Sequence, residues 1–201
     1  MEQIITDMPF IFPLLSFFAG SIPFGLIFAK LHGRDPRQHG SGNIGATNTA
    51  RVLGKKWGLL TLVTDILKGF LPVIWASFSG IDNVYLALTG LGAVVGHCFS
   101  VFLMFHGGKG VATAAGVFLA LCPKSVGAAA VVFFIVLRMF GYVSAASLAA
   151  AASLPILMHI FCSNAILESM SWTICLIIWL KHGDNLKRLS RGEEKKISFQ
   201  S

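Results

Sequence analysis

A chain of 201 residues that is 55% hydrophobic and only 12% charged, with a mean hydropathy of +0.74, lies far from the balance of a water-soluble domain. The composition excludes a soluble globular enzyme and leaves room for a single membrane-embedded domain over 1–201, with no separate soluble one. The net charge of +7 does not point to nucleic acid, since the cations form no basic arm with interleaved aromatics.

A helix rises 1.5 Å per residue, so crossing roughly 30 Å of hydrocarbon takes about 20 apolar residues. The first such segment runs from about Pro9 to Leu31, interrupted by Pro13, Gly20, Pro23 and Gly25. Membrane helices tolerate such breaks when neighbours re-satisfy the freed backbone. It lacks a basic flank and a small-residue cleavage site, and is expected to be a retained span. The second segment covers about Trp57 to Phe78 and the third about Val84 to Phe105. The apolar stretch Val111 to Leu137 would be too long as one helix and would carry Lys124 in mid-membrane, so Cys122-Pro123-Lys124 is expected to divide it into two short spans. Tyr142 to Cys162 and Ala165 to Leu180 complete seven. Cys98, Cys122, Cys162 and Cys175 lie inside or at the ends of these runs, without CxxC or zinc spacing. They read as apolar packing residues, and no metal is expected.

Cations gather on the cytoplasmic side of short loops. With the N-terminus outside, Arg34, Arg37, Arg51, Lys55, Lys56, Lys109, Arg138, Lys181, Lys187, Arg188, Arg191, Lys195 and Lys196 all fall inside, leaving Lys124 outside with Glu2, Asp7, Asp82 and Glu168. The expected fold is therefore an all-α polytopic integral membrane protein with seven transmembrane helices, N-terminus outside and C-terminus cytoplasmic.

Three polar stretches then share the cytoplasmic face. The first, GSGNIGATNTARVLGKK from Gly40 to Lys56, combines Gly40, Gly42, Gly45 and Gly54 with neutral donors on Ser41, Asn43, Thr47 and Asn48 and the planar fork of Arg51. That is the chemistry of an anion site. GSGNIG also fits a dinucleotide fingerprint, but that pattern requires a preceding strand, and an apolar segment stands there. The second stretch, His106 to Thr113, places Gly107, Gly108, Lys109 and Gly110 ahead of a helix, whose N-terminus favours an anion. In the third, Lys181 to Glu193, helical spacing puts His182, Asn185 and Leu189 on one face. Lys187, Lys195 and Lys196 read as a basic tail for anionic headgroups.

Inside the apolar spans, Asp65 and Lys68 stand one turn apart and can neutralise each other, or mark function. His97 reads first as a hydrogen-bonded core histidine. No GxSxG elbow is present, and Ser41 has no histidine fixed beside it by the sequence, which disfavours a covalent route. Phosphate-friendly patches beside helices able to hold an acyl chain suggest an enzyme that joins a phosphorylated polar substrate to a lipid. A transporter or flippase for a phosphorylated solute would use similar helix breaks, but no internal repeat is apparent. A lipid-binding scaffold leaves Arg51, Lys109 and Asn185 unexplained.

The motifs Gly40-Ser41-Gly42-Asn43-Ile44-Gly45-Ala46-Thr47-Asn48 with Arg51, Gly107-Gly108-Lys109-Gly110-Val111-Ala112-Thr113, and His182, Asn185, Arg188, Leu189, Gly192 and Glu193 resemble those of the bacterial acyl-phosphate:glycerol-3-phosphate acyltransferase family. Asp65-x-x-Lys68-Gly69 fits the same pattern. The resemblance implies acyl transfer from an acyl phosphate to the 1-hydroxyl of glycerol 3-phosphate at the bacterial inner membrane, giving lysophosphatidic acid and phosphate. It implies no cofactor, no coenzyme A and no acyl carrier protein acting directly. The donor is a mixed anhydride, already activated, so positioning and charge stabilisation suffice. Carried over residue by residue, it implies catalytic roles for Ser41, Arg51, Lys109, His182 and Asn185. Substrate binding falls to Gly42, Asn43, Thr47, Asn48, Lys68, His97, Gly107, Gly108, Gly110, Thr113 and Arg188, and structural roles to Asp65 and Glu193. A substrate phosphate is the favoured proton acceptor, with His97, Asp65 and His182 as alternative bases.

Overall fold

The computed structural model describes residues 8–197, and among them the chain is all-helical, with no strand. It forms two compact units that divide between Leu121 and Cys122. The first contains α1 (Ile11–Ser21), α2 (Phe24–Leu31), α3 (Ala46–Leu53), α4 (Lys55–Phe78), α5 (Asn83–Cys98), a 3-10 turn (Val101–Leu103) and α6 (Val111–Leu121). The second contains α7 (Pro123–Phe140), α8 (Val143–Cys162), α9 (Ala165–Lys181) and α10 (Gly183–Ser190).

Each expected segment has a helical counterpart, and five are long and apolar enough to cross a membrane: Ile11–Leu31, Lys55–Phe78, Asn83–Leu103, Pro123–Phe140 and Val143–Cys162. The break at Cys122-Pro123 falls as expected, with Pro123 opening α7 where its missing N–H costs nothing. Its two products are unequal. α6 has 11 residues, a length of about 16 Å and so about half the hydrocarbon thickness. Asp82 and Asn164 start α5 and α9 by accepting from the backbone N–H groups two and three residues on, as good N-caps do.

Ile22 separates α1 from α2 because the residue before a proline avoids helical geometry. The carbonyls freed there find side chains from elsewhere in the first unit: Ser100 Oγ donates to Ser21 O at 2.6 Å and Lys68 Nζ to Ile22 O at 2.8 Å. Small residues let the helices approach closely around this break. A Cβ on Gly20 would run into the Ala93 carbonyl, one on Gly96 into that of Phe17, and one on Gly69 into that of Thr113. Side chains such as Leu59, Leu71, Phe134, Ile160 and Leu176 point outward, while Ser16, Thr61 and Thr89 are buried and hydrogen-bonded. Apolar outside and polar within is the arrangement hydrocarbon solvent favours.

Candidate active site

The first polar stretch folds as a loop that delivers the chain into α3, and Asn48 holds it. From the buried first turn of α3, its amide donates to the carbonyls of Pro36 at 2.8 Å, His39 at 3.0 Å and Asn43 at 2.8 Å, and its Oδ1 accepts from Ser41 N at 2.8 Å. Asn48 therefore spends its polar atoms on the loop rather than on a substrate. Asn43 likewise turns inward, Oδ1 accepting from Gly45 N at 2.8 Å. Gly40 needs its left-handed φ of 68°, and a Cβ there would strike Asn48 Oδ1. Ser41 and Thr47 are half-buried, while Gly42 and Arg51, the latter in the last turn of α3, are exposed. Upstream, the Arg37 guanidinium bonded to Asp35 lowers that carboxyl to about 2. An open depression of about 800 Å³ beside this loop is lined by Lys30, Gly33, Arg34, Asp35, Gln38 and His39. None of those is a motif residue, so the site is argued from the motifs themselves.

The glycine loop is more committed to the fold than its sequence suggests. Gly107 N donates to Cys98 O at 3.2 Å and Gly108 N to His97 O at 3.0 Å, so two N–H groups that could have faced an anion brace the loop against the end of α5. Gly110, at a φ of 86°, turns the chain into α6, with Lys109 half-buried just before it. Thr113 is fully buried in the α4–α6 packing, away from any open face.

Asp65, Lys68 and His97 form one buried cluster. Lys68 Nζ lies 2.9 Å from Asp65 Oδ1 while also donating to Ile22 O, and His97 Nδ1 lies 3.8 Å from Asp65 Oδ1. The pair is a structural neutralisation that also mends the proline break. The substrate-binding role expected of Lys68 does not suit an amino group engaged inside the bundle.

In the second unit, His182 and Asn185 are both buried where α10 follows α9, as their spacing predicts. His182 Nδ1 donates to Ile178 O at 2.7 Å; a carbonyl can only accept, so a proton sits on Nδ1. Asn185 Nδ2 donates to Glu194 Oε1 at 2.7 Å, joined by Ser144 Oγ at 2.8 Å, and Arg188 Nε donates to Glu194 Oε2 at 2.6 Å. The structural carboxylate is thus Glu194. Glu193, expected in that role, is exposed; after Gly192 turns the tail at φ 70°, Glu194 is the carboxylate that faces inward. Arg188, expected on a substrate, is engaged with Glu194. The tail continues along the start of α8, with Ile197 N donating to Gly141 O at 2.9 Å and Lys196 over the Tyr142 ring.

Burial pushes the Glu194 carboxyl up, but the hydrogen bonds from Arg188, Asn185 and Ser144 outweigh it and hold the group below the ordinary carboxylate range. A depressed folded value stabilises above the unfolded value of about 4.3, and the gain is lost as pH falls through the folded one. Glu194→Ala is expected to lower stability by about 1–3 kcal/mol, since three donors lose one acceptor. Thermal unfolding in detergent from pH 7 down to about pH 2 checks this: below about pH 4.3 wild type should lose stability on acidification more steeply than Glu194→Gln, and parallel curves would sink the assignment. Ser144 and Glu194 escaped the sequence reading. Adjacent glutamates cannot be ranked without the path of the tail, and nothing marks a serine at a helix start as a partner for a residue 50 positions on.

Residues 10–192 match the family profile described as glycerol-3-phosphate acyltransferase. The chain is similar to the glycerol-3-phosphate acyltransferases of Desulfotalea psychrophila, at 45% identity over 94% of this chain and 98% of that one, and of Geotalea daltonii, at 46% over 89% and 92%. Its fold superposes on crystal structures of PlsY (YgiH), an integral membrane glycerol 3-phosphate acyltransferase. The glycerol 3-phosphate form gives a TM-score of 0.92 at 40% identity, covering 94% of this chain and 96% of that one, and the lysophosphatidic acid form gives 0.89 at 39%. With outward apolar helices, two glycine-rich polar loops in the first unit and a buried His–Asn pair in the second all inside the matched residues, the chain belongs to the glycerol-3-phosphate acyltransferase family.

Proposed function

We propose that this protein transfers an acyl group from an acyl phosphate to the 1-hydroxyl of glycerol 3-phosphate. The observation that supports this best is its likeness, over nearly its whole length, to an enzyme solved with glycerol 3-phosphate and with lysophosphatidic acid. In the reaction the hydroxyl oxygen attacks the acyl carbon, the bond from that carbon to the phosphate oxygen breaks, and phosphate leaves. The hydroxyl proton passes to a substrate phosphate. Arg51 and Lys109 bind phosphate groups and offset their charge, Ser41 donates a hydrogen bond, and His182 and Asn185 hold the glycerol phosphate. A mixed anhydride needs no covalent enzyme intermediate, so positioning carries the rate.

The membrane setting belongs to the same proposal: seven crossings with the N-terminus outside, a single functional domain, and the polar motifs facing the cytoplasm of a bacterial inner membrane, a reading that the distribution of cations along the sequence supports. The test is phosphate release by detergent-purified protein with palmitoyl phosphate and glycerol 3-phosphate, run beside palmitoyl-CoA. Release is expected to need both substrates and to fall by at least ~100-fold in Arg51→Ala, as for the loss of a charge-stabilising donor. Lysophosphatidic acid formed only from palmitoyl-CoA would overturn the donor; export of a phosphorylated solute from vesicles without turnover would favour the transporter.

A further inference from the structure

His97 meets the glycine loop in two ways. Its backbone carbonyl accepts from Gly108 N at 3.0 Å, and its imidazole fills the space where a Gly108 side chain would begin, since a Cβ there would strike Nε2. At Gly107 the obstruction is different in kind: a Cβ would strike the His97 carbonyl and the Cys98 backbone. The ring is buried, and its other face looks toward Asp65, with Nδ1 at 3.8 Å from Oδ1. Asp65 is in turn fixed by Lys68, which is anchored on Ile22 O. A line of buried groups therefore runs from the helix break at Ile22 through Lys68 and Asp65 to the imidazole, which lies beside Asp65 without a hydrogen bond from Nδ1 to the carboxylate, and from the imidazole to the loop that carries Lys109.

We propose that His97 is a positioning residue: buried beside the Asp65–Lys68 pair, its ring is the abutment that sets the height of the glycine loop and hence of Lys109, and it neither binds substrate nor takes the proton. This rests on the acyl-transfer reading above. It also explains why position 108 carries no side chain, a requirement that comes from the imidazole and not from the backbone.

The two glycines give a test with an internal control. Gly108→Ala drives a methyl group into the imidazole, and His97→Ala removes that obstacle. Gly107→Ala drives one into backbone, which His97→Ala cannot move. Turnover of glycerol 3-phosphate and acyl phosphate is measured in wild type, the three single variants and the two double variants. Gly108→Ala is expected to lose at least ~30-fold and His97→Ala ~10-fold, while His97→Ala/Gly108→Ala stays within ~2-fold of His97→Ala, the non-additivity of residues in direct contact. His97→Ala/Gly107→Ala should be no better than Gly107→Ala. The loss in His97→Ala should fall on KM for a phosphate substrate, with the pH profile of kcat unchanged in shape. A double variant at position 108 as poor as the product of its singles, or loss of an ionisation from the kcat profile of His97→Ala, would overturn the proposal. If Gly108→Ala folds poorly, the same recovery is read in thermal stability. That readout also stands if wild type shows no acyl transfer, an outcome that would remove the function reading and leave the packing claim to be decided separately.

Discussion

Replacing Lys68 by Met is expected to cost on the order of 3–5 kcal/mol, the usual penalty for stranding one member of a buried ion pair. Lys68 and Asp65 are each about 4% exposed at the side chain, and their 2.9 Å contact lies midway along α4. With the ammonium gone, Asp65 holds an uncompensated charge and Ile22 O loses a donor. A second substitution that removes the carboxylate as well, Lys68→Met/Asp65→Leu, should recover most of the loss, because well-packed apolar pairs often match buried ion pairs in stability. The recovery should stop short of wild type by about 0.5–1.5 kcal/mol, the net worth of the hydrogen bond lost from Lys68, since Ile22 O still accepts from Phe24 N at 3.2 Å. Thermal unfolding in detergent decides between outcomes. A Lys68→Met protein as stable as wild type would mean that the pair is wet or loosely held, and the route from Lys68 to the glycine loop would lose its fixed end.

Asn48→Asp should be as damaging as Asn48→Ala, although it is nearly isosteric. Two amide hydrogens are shared among the carbonyls of Pro36, His39 and Asn43. A carboxylate puts an acceptor against three acceptors and keeps only the bond from Ser41 N. Each buried partner left without a donor costs about 1–3 kcal/mol, enough to release the loop from α3. Turnover is expected to fall by ~100-fold or more, since misplacing reacting groups by about an ångström costs that much. The rest of the first unit should stay folded, because α1, α4, α5 and α6 pack without using Asn48. Limited tryptic cleavage at exposed Arg37 reads the loop and thermal unfolding reads the remainder. Wild-type turnover in Asn48→Asp would show that the amide is not what holds the loop.

Both predictions concern residues whose type was visible in the sequence and whose partners were not. An isolated Asp65-x-x-Lys68 says that the two groups can pair, since one turn brings them together whatever surrounds them. It cannot say that Lys68 also closes a helix break 46 residues earlier. Asn48 stood in a row of neutral donors that looked alike as substrate ligands, and only the path of the loop around it separates the residue that builds the loop from those on its surface.

What the sequence determined by itself was the solvent and the spacing. Hydrophobic runs of span length, the break at Cys122-Pro123 and the three-residue spacing of His182 and Asn185 follow from local rules: helix rise, hydrocarbon thickness and proline's missing N–H. The family could be read from motif residues for the same reason, because each motif lies within a short stretch of chain. What only the tertiary structure decided was how each polar atom is used: Asn48 on its loop, two glycine N–H groups on the end of α5, Arg188 and Asn185 on the tail, and Glu194 in place of Glu193. A buried polar group must find a partner wherever the fold brings one. Such partners lie 5 to 50 residues apart along the chain, at separations set by the path of the loops and not by a helical or strand period.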